Sequence, residues 1–256
     1  MGLRPFTIHP KTSKVVFAAS DSICPRLSYL KGVRRHMIPE HSLEVLRKFE
    51  VGNVFHRMAD EGIDKVLWGE YGHVIRINSF RLRCFEDIFE GMDPDCVLGT
   101  PDHILFFPES GYLLLVDQKS SNDFGFKKQV RSSHGAIYHS VQVGTYMNGL
   151  MNSPLRGLVD VATSMICYMS KEDVTIASKP AALSYMNSAR EFWMSVAHAM
   201  NVEALPPALP REEWACKYCP FFDNAEICGG IATLEDYDRE FPGVERIGDG
   251  EEPQAQ

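Results

Sequence analysis

Apolar positions along the chain follow helical spacing in some stretches and strand-like spacing in others. In one stretch Leu43, Leu46 and Phe49 recur at every third residue, which places them on one side of a helix. Ser20, a residue type that caps helices well, stands at the start of another such stretch. The segments predicted to be helical are residues 20–34, 41–62 (as one or two helices), 134–151 and 181–201.

A β-rich region lies between these helices. Residues 73–86 alternate in part between apolar and polar side chains, and residues 96–107 and 111–121 are two apolar runs around the turn sequence Pro-Glu-Ser-Gly. The two runs are expected to pair as a hairpin, and residues 163–170 predict another strand with a turn after it. Helices before, between and after the strands predict an α/β or α+β fold, with a mixed central sheet flanked by helices.

Length and composition fit one core with a small appended segment. The 256 residues are 45% hydrophobic, and no apolar run is long enough for a membrane span or a secretory leader, so a cytoplasmic location is expected. The formal net charge of -8 argues against a general DNA-coating protein, although basic clusters such as Arg81 and Arg83 exist. The expected organisation is an N-terminal helical segment (1–50), a core (51–203), a cysteine-rich segment (204–235) and an acidic tail (236–256).

Two aspartates and a lysine stand in or at the end of apolar runs. Asp102 follows Gly-Thr-Pro inside one run, and Asp117 and Lys119 end the next. Residues two apart on a strand share a face, so Asp117 and Lys119 point the same way. Buried carboxylates are costly unless they are paired or bind a metal, and hard divalent cations prefer such oxygens. The pattern indicates a cation site, and the alternative is a solvated aspartate–lysine pair at a strand end.

Polar side chains on the predicted helices provide further candidates. His56 lies on the helix before the strands and offers a nitrogen ligand, although a lone histidine on a helix is more often structural. Gln142 and Tyr146 are four residues apart on the helix after the hairpin, so they share a face. An amide and a phenol can contact phosphate or orient a lysine. Ordinary polar residues on a helix flank are the alternative.

Cysteines form a third candidate group. The chain has 7 of them, an odd number that argues against a disulfide scaffold. Cys216 and Cys219 have C-x2-C spacing, Cys228 follows soon after, and Cys24 stands near the start of the chain. Four thiolates suit an iron–sulfur cluster or zinc, and the alternative is a set of buried free cysteines.

The order of these motifs resembles that of the RecB-like PD-(D/E)xK nucleases, in the iron–sulfur branch that includes CRISPR-associated RecB-type exonucleases and phage-encoded relatives. The resemblance extends from about Ser20 to Cys228, and it departs from the family in the wide gap between Cys219 and Cys228. Each motif is common, but their order is specific. The motifs are G-x3-H at 52–56, G-x-P-D at 99–102, D-x-K at 117–119, Q-x3-Y at 142–146, the strand around 166–173 and the split cysteines.

The resemblance implies a restriction-endonuclease-like core and a nuclease that hydrolyses DNA with Mg²⁺ or Mn²⁺. Lys119 would orient or deprotonate the attacking water and stabilise the charged phosphate, and Gln142 and Tyr146 would position that lysine or the DNA backbone. The implied metal ligands are His56, Asp102, Asp117 and the Gln118 carbonyl, and the implied catalytic residues are Asp102, Asp117, Lys119, Gln142 and Tyr146.

A four-iron–four-sulfur (4Fe-4S) cluster, with zinc as the less favoured alternative, is implied for the cysteines. It would clamp the two ends of the chain together through Cys24, Cys216, Cys219 and Cys228. Basic residues near Cys24 would then line a path for single-stranded DNA, with Tyr29 or Tyr218 stacking on bases. These basic residues are Arg26, Lys31, Arg34 and Arg35.

The expected activity is that of an exonuclease on single-stranded DNA ends, in phage or CRISPR DNA processing, recombination or repair, inside a prokaryotic or phage-infected cell. An integrase, recombinase or helicase partner and assembly into an oligomer are compatible with this activity, and no membrane is expected. Two alternatives stay open. One is a catalytically weak DNA-binding subunit of a spacer-acquisition or repair complex, and the other is a zinc-stabilised structural protein in which the D-x-K sequence is incidental.

Overall fold

The computed structural model of the chain describes residues 17–33, 43–70, 74–77, 80–132, 137–158, 161–173, 175–181 and 184–209, together with residues 216, 219, 221 and 228. Five α-helices and eight β-strands lie within these residues. The helices are α1 Pro25–Val33, α2 Leu43–Glu70, α3 Asp123–Arg131, α4 Ile137–Met151 and α5 Ser184–Asn201. The strands are β1 Phe17–Ala18, β2 Ile75–Ile77, β3 Leu82–Cys84, β4 Val97–Gly99, β5 His103–Phe107, β6 Tyr112–Ser121, β7 Val161–Ser170 and β8 Ile176–Ala181.

A mixed sheet of five strands, in the order β2-β5-β6-β7-β8, forms the centre of the fold. β5 and β6 pair as the predicted hairpin, with His103 opposite Val116. β6 and β7 run parallel, with Asp117 opposite Ile166, and α3 and α4 lie in the connection between them, since parallel neighbours need a long crossover. The predicted α+β fold with a mixed central sheet is therefore confirmed.

Helices cover both faces of β6. Residues at alternate positions of a strand point to opposite faces. Gln142 of α4 reaches Asp117 on one face, whereas Gly52 of α2 lies above Ser120 on the other, where a Cβ added to the glycine would be 3.9 Å from the serine hydroxyl. The central strand is thus buried between α2 and α4, and polar groups on it are shielded from bulk water.

A second sheet of three strands, β1-β4-β3, lies beside the first. The apolar run 96–107 was expected to be one strand, and that expectation is wrong. It is divided into β4 and β5, which belong to different sheets. Pro101 lies between the two strands, and because proline has no backbone N–H it cannot donate a hydrogen bond to a neighbouring strand. Asp102 therefore lies in the bend before β5 and not inside a strand.

The core packs around the contact between α4 and α5. Trp193 of α5 is fully buried against Phe17 and Phe89, and its indole N–H donates to Thr145 Oγ1 of α4 at 2.9 Å. Gly144 lets the two helices approach closely, because a Cβ there would lie 2.1 Å from the Tyr185 carbonyl oxygen. This contact fixes α4 and, with it, the polar side chains that α4 presents to the central sheet.

Element boundaries differ from the sequence pattern in several places. The stretch predicted as a helix at 20–34 begins with a 3-10 turn, Ala19–Asp21, and α1 starts at Pro25, because proline suits the first helical position. α2 is one continuous helix through residues 50 and 51. The expected N-terminal segment (1–50) and the expected core (51–203) therefore both contribute to it. No helix among the described residues is long and apolar enough to cross a membrane.

Candidate active site

Asp102 is held by the neighbouring strand and by α2. The backbone N–H of Gln118 donates to Asp102 Oδ2 at 2.6 Å, and His56 Nδ1 lies 3.5 Å from Asp102 Oδ1. Burial raises the pKa of Asp102, but the hydrogen bond from His56 and the charge of Lys119 outweigh burial and bring the pKa below its usual value. The same contact with Asp102 raises the pKa of His56. Asp102 is therefore ionised at neutral pH.

Asp117 is the more deeply buried carboxylate, with only 3% of its side chain exposed. Lys119 Nζ lies 2.7 Å from Asp117 Oδ2, and the Gln142 amide donates to Oδ1 at a long 3.4 Å. Burial raises the pKa of Asp117 to about 6, with the charge of Asp102 adding to the rise and that of Lys119 opposing it. Oδ2 already contacts the Lys119 ammonium, so a metal ion at this oxygen would have to share it with the lysine or replace the lysine.

Gln142 and Tyr146 form a hydrogen-bonded pair on one face of α4. Gln142 Nε2 donates to the Tyr146 hydroxyl at 2.7 Å as well as to Asp117. The phenol fits because residue 99 is glycine, where a Cβ would lie 2.6 Å from the Tyr146 ring. Burial raises the pKa of Tyr146 well above its usual value, so the phenol stays protonated. Gln142 therefore contacts the carboxylate of Asp117, while its expected role toward the lysine or the DNA backbone stays a prediction.

A second polar cluster docks α2 onto the sheet. Asp60 Oδ1 lies 3.2 Å from both Arg76 of β2 and His103 of β5. His103 Nε2 is also 2.5 Å from the Gln118 side-chain amide. Asp60 is four residues after His56, so both side chains lie on the same face of α2. This docking places His56 beside Asp102. This cluster was not predicted from the sequence, although the four-residue spacing of His56 and Asp60 on one helix was visible.

The candidate catalytic and cation-binding residues, except Gln118, line one cleft of about 380 Å³. The Gln118 side chain contacts His103 instead. Lys119 and Arg81 are its two cations, and Ser20 and Thr100 contribute hydroxyl groups. Arg81 was expected only as part of a basic cluster. Thr100 was not predicted as a site residue, although it is two residues before Asp102. The cleft is lined by Ala18, Ala19, Ser20, His56, Arg81, Leu98, Thr100, Asp102, Asp117, Lys119, Gln142 and Tyr146.

The donors in this cleft suit a hard divalent cation. Asp102 and Asp117 supply carboxylate oxygens and His56 a nitrogen, which is the chemistry that Mg²⁺ and Mn²⁺ accept. In the described part of the chain, no three His, Cys, Asp or Glu side chains are grouped closely enough to hold an ion as they stand. Lys119 and His56 each contact one of the carboxylates. A bound cation would therefore displace at least one of these contacts.

Three cysteines of the predicted cluster, Cys24, Cys219 and Cys228, lie close enough to interact electrostatically. Burial raises the pKa of the Cys24 thiol, and the charge of Cys228 adds to the rise. Burial, together with Cys24 and Cys228, raises the pKa of Cys219 to about 11. The Cys219 N–H donates to the Cys216 carbonyl at 3.0 Å, which closes a turn in the C-x2-C sequence. The fold thus brings the N-terminal cysteine to the C-terminal ones, while no closed metal site is formed among the described residues.

The basic path expected near Cys24 is not found at Arg26 and Tyr29, because both are buried. Arg26 Nε donates to the Pro206 carbonyl at 2.8 Å, and Lys31 is paired with Asp21. Both cations therefore support the fold, and the prediction that Arg26 and Tyr29 contact DNA is wrong. Arg34, Arg35 and Tyr218 lie outside the described residues.

Comparisons with known proteins assign no family to this chain. No family model matches it, and no curated protein matches it. A solved structure described as "Crystal structure of SSO0001" is similar over 80% of this chain and 83% of that chain, with 16% sequence identity and a TM-score of 0.48. A likeness of this size carries no information on function, so the chemistry of the cleft rests on its own residues.

Proposed function

We propose that the protein is a Mg²⁺- or Mn²⁺-dependent deoxyribonuclease that acts on single-stranded DNA ends. The observation that carries the proposal is the meeting of Asp102, Asp117 and Lys119 in one cleft. A buried carboxylate with a raised pKa is costly to the fold, and such groups are concentrated at functional sites. The order of the cleft residues along the chain, which resembles that of the RecB-like PD-(D/E)xK nucleases, supports the same activity.

A cation bound by His56, Asp102 and Asp117 would supply positive charge that polarises the scissile phosphate and lowers the pKa of a nearby water. Lys119, with 20% of its side chain exposed, holds an ammonium group at the cleft, where it offsets the negative charge that grows on the phosphate in the transition state. Arg81 adds a second cation that can bind the phosphate backbone.

Gln142 and Tyr146 have a positioning role in this proposal. The Gln142 amide bonds to both Asp117 and the Tyr146 hydroxyl, so it limits rotation of the carboxylate. The phenol is fixed in turn by the close packing of its ring on Gly99. Together they hold Asp117 in one orientation before substrate arrives, which reduces the reorganisation that catalysis needs.

We also propose a 4Fe-4S cluster with Cys24, Cys216, Cys219 and Cys228 as ligands. The electrostatic contact of Cys24 and Cys219 with Cys228, and the turn that joins Cys216 to Cys219, support this ligand set. Loading would remove the protons that the raised pKa values of Cys24 and Cys219 keep on these two thiols at neutral pH. The cluster would act as a clamp between the ends of the described fold, away from the chemistry of the cleft.

The decisive experiment compares cleavage by wild-type protein and by an Asp117→Ala, Lys119→Ala double variant. Both are purified without oxygen and incubated with end-labelled single-stranded DNA and Mn²⁺. We expect the wild type to shorten the DNA and the double variant to lose about 10²-fold or more of the rate. The matched control is Asp87→Ala, Arg190→Ala, which removes a surface ion pair of the same 2.7 Å length outside the cleft.

This control should cleave at the wild-type rate. If the wild type cuts no form of DNA in Mn²⁺ or Mg²⁺, the nuclease proposal is wrong, and a catalytically inactive DNA-binding subunit becomes the better description. If the double variant cuts as fast as the wild type, the protein is a nuclease whose active site lies elsewhere.

A further inference from the structure

Phe124 is an exposed aromatic side chain on α3, the helix that directly follows the strand carrying Asp117 and Lys119. With 78% of its surface open to solvent, it exceeds every other exposed large apolar side chain among the described residues. It lies in the first turn of α3, whereas Phe126 in the same helix is buried in the core. The phenyl ring of Phe124 therefore contributes nothing to packing that would explain its presence on the surface.

Two cations share the helix face of Phe124. Lys128 and Arg131 follow it by four and seven residues, which is the spacing of neighbours along one side of a helix. Neither makes an ion pair with the described residues, whereas Lys127 is paired with Asp123 at 2.6 Å. The nearby Glu172 accepts a hydrogen bond from the Asp123 backbone N–H. The positive charges of Lys128 and Arg131 thus remain open to a ligand.

The position of α3 connects this face to the cleft. β6, which carries Asp117 and Lys119, ends at Ser121, and Asn122 caps α3 directly by accepting a hydrogen bond from the Gly125 N–H at 2.9 Å. Phe124 is seven residues after Asp117, so their Cα atoms are at most about 25 Å apart. At about 3.4 Å per nucleotide or more, a strand of some seven nucleotides spans this distance.

We propose that Phe124, Lys128 and Arg131, here called the stacking face of α3, bind the single-stranded DNA that leads into the cleft. The phenyl ring stacks on a base, and the two cations contact phosphates. This inference rests on the proposed nuclease function and identifies the residues that would bind the single strand outside the cleft. Bases within a duplex are stacked on one another and present no free face to an aromatic side chain, whereas bases of a single strand do.

A protein partner fits this face less well than DNA does. The apolar part of the stacking face is one side chain, far smaller than the area that a stable protein interface buries. An aromatic ring flanked by unpaired cations is instead the combination that non-specific single-strand binding uses, because every base has a flat face and every nucleotide a phosphate. The charge of the face is complementary to that ligand.

Binding of a labelled single-stranded 20-mer tests the proposal by fluorescence anisotropy in EDTA, so that cleavage does not interfere. Phe124→Ala should weaken binding about 5- to 150-fold, the range for loss of one base–aromatic stack. Phe124→Trp should bind at least as tightly as wild type and show more tryptophan quenching than the wild type, which has 3 tryptophans of its own. Met194→Ala, which removes an exposed apolar side chain from α5, is the matched control and should bind as wild type.

The salt dependence of DNA binding distinguishes the contribution of the two cations from that of the phenyl ring. A Lys128→Gln, Arg131→Gln variant should reduce the slope of log affinity against log salt by about 1.4, since two single-strand phosphate contacts are lost. Phe124→Ala should leave that slope unchanged and should not weaken binding of a blunt duplex. Equal losses on single strand and duplex would overturn the stacking role.

The outcomes for this face and for the nuclease proposal are distinguishable. If the protein cleaves DNA but Phe124→Ala binds the 20-mer within twofold of wild type, the stacking face is refuted and the nuclease stands. If the protein cleaves no DNA yet loses single-strand affinity in Phe124→Ala, the stacking face stands and the nuclease does not. If wild-type protein does not bind the 20-mer at all, the inference is wrong.

Discussion

At the scale of single residues, the cost of the candidate site is concentrated in Asp117. Its charge is buried between α4 and the sheet, with one ion pair and one long hydrogen bond in compensation. Moving a carboxylate out of water costs more free energy than this partial pairing restores, and the pKa of Asp117 is raised for that reason. Asp102, with a short bond from the Gln118 N–H, is better compensated and keeps a lowered pKa.

We expect Asp117→Asn to stabilise the metal-free protein at high pH. A carboxyl whose pKa is raised to about 6 holds its proton more tightly in the folded state, so it makes the fold less stable as pH rises from about 4 through 6. Asparagine cannot ionise and escapes this loss. Above pH 6 the variant should gain on the order of 3 kcal/mol in the free energy of unfolding, while losing activity.

Urea unfolding in EDTA at pH 4 and pH 8 measures this effect, with Asp87→Asn as a control at a solvent-exposed carboxylate that is paired with Arg190. The gain in the free energy of unfolding of Asp117→Asn over wild type should vanish at pH 4. At pH 8 this difference should shrink when Mg²⁺ is added to the wild type. A variant that is less stable than wild type at pH 8 would show that the ion pair with Lys119 outweighs the cost of burial.

At the scale of helices and strands, the sequence predicted elements with strong periodicity and missed those defined by contacts. The hairpin of β5 and β6 and the helix α4 were predicted because apolar runs and helical spacing are local signals. β8 was missed because its partly buried positions are Ala177, Lys179 and Ala181, which do not make an alternating pattern of large apolar side chains. α3 was missed although Asn122 and Asp123 form a typical helix start, because nine residues give little periodicity.

The candidate site also has features that the sequence predicts and features that it does not. The order of Asp102, Asp117, Lys119, Gln142 and Tyr146 was readable because residue type and spacing carry it. The bend that places Asp102 between two sheets and the docking of α2 through Asp60 were not readable, because both depend on residues far apart in sequence. Long-range polar contacts leave no periodic trace in the chain.

The contact between α4 and α5 gives a prediction at this scale. Gly144→Ala should lower the free energy of unfolding by about 1–3 kcal/mol, since the added methyl group would meet the rigid Tyr185 backbone at 2.1 Å and force the helices apart. Because Gln142 is on the same helix, the displacement should also reduce cleavage.

The control is Gly62→Ala, in α2, where nothing lies within 4 Å of the added Cβ. That substitution should raise stability by about 0.4–1 kcal/mol, because alanine loses less conformational entropy in a helix than glycine does. Thermal unfolding of both variants checks the pair. Equal effects of the two substitutions would mean that the α4–α5 contact is not as close as the structure has it.

At the scale of the whole molecule, segments from the two ends of the described chain meet. The Arg26 side chain of α1 donates to the Pro206 carbonyl, and α1 packs on α5. The backbone of Leu209 also bonds to the Cys24 thiol. These contacts close a loop that contains the whole central sheet. A cluster ligated from both ends would therefore act mainly by restricting the unfolded chain.

Loss of the proposed cluster should change both the colour and the stability of the protein. Protein purified without oxygen should be brown and contain iron, and Cys24→Ser should lose the colour and about 3–5 kcal/mol of stability, since the clamp closes a loop of nearly 200 residues. Cys167→Ser, which alters a cysteine on β7 outside the ligand set, is the control and should keep both iron and stability.

Iron analysis and thermal unfolding, with and without a chelator, provide the readouts. A colourless wild type that contains zinc would replace the iron–sulfur proposal with a zinc clamp on the same cysteines, whereas a Cys24→Ser variant with full metal content would remove Cys24 from the ligand set.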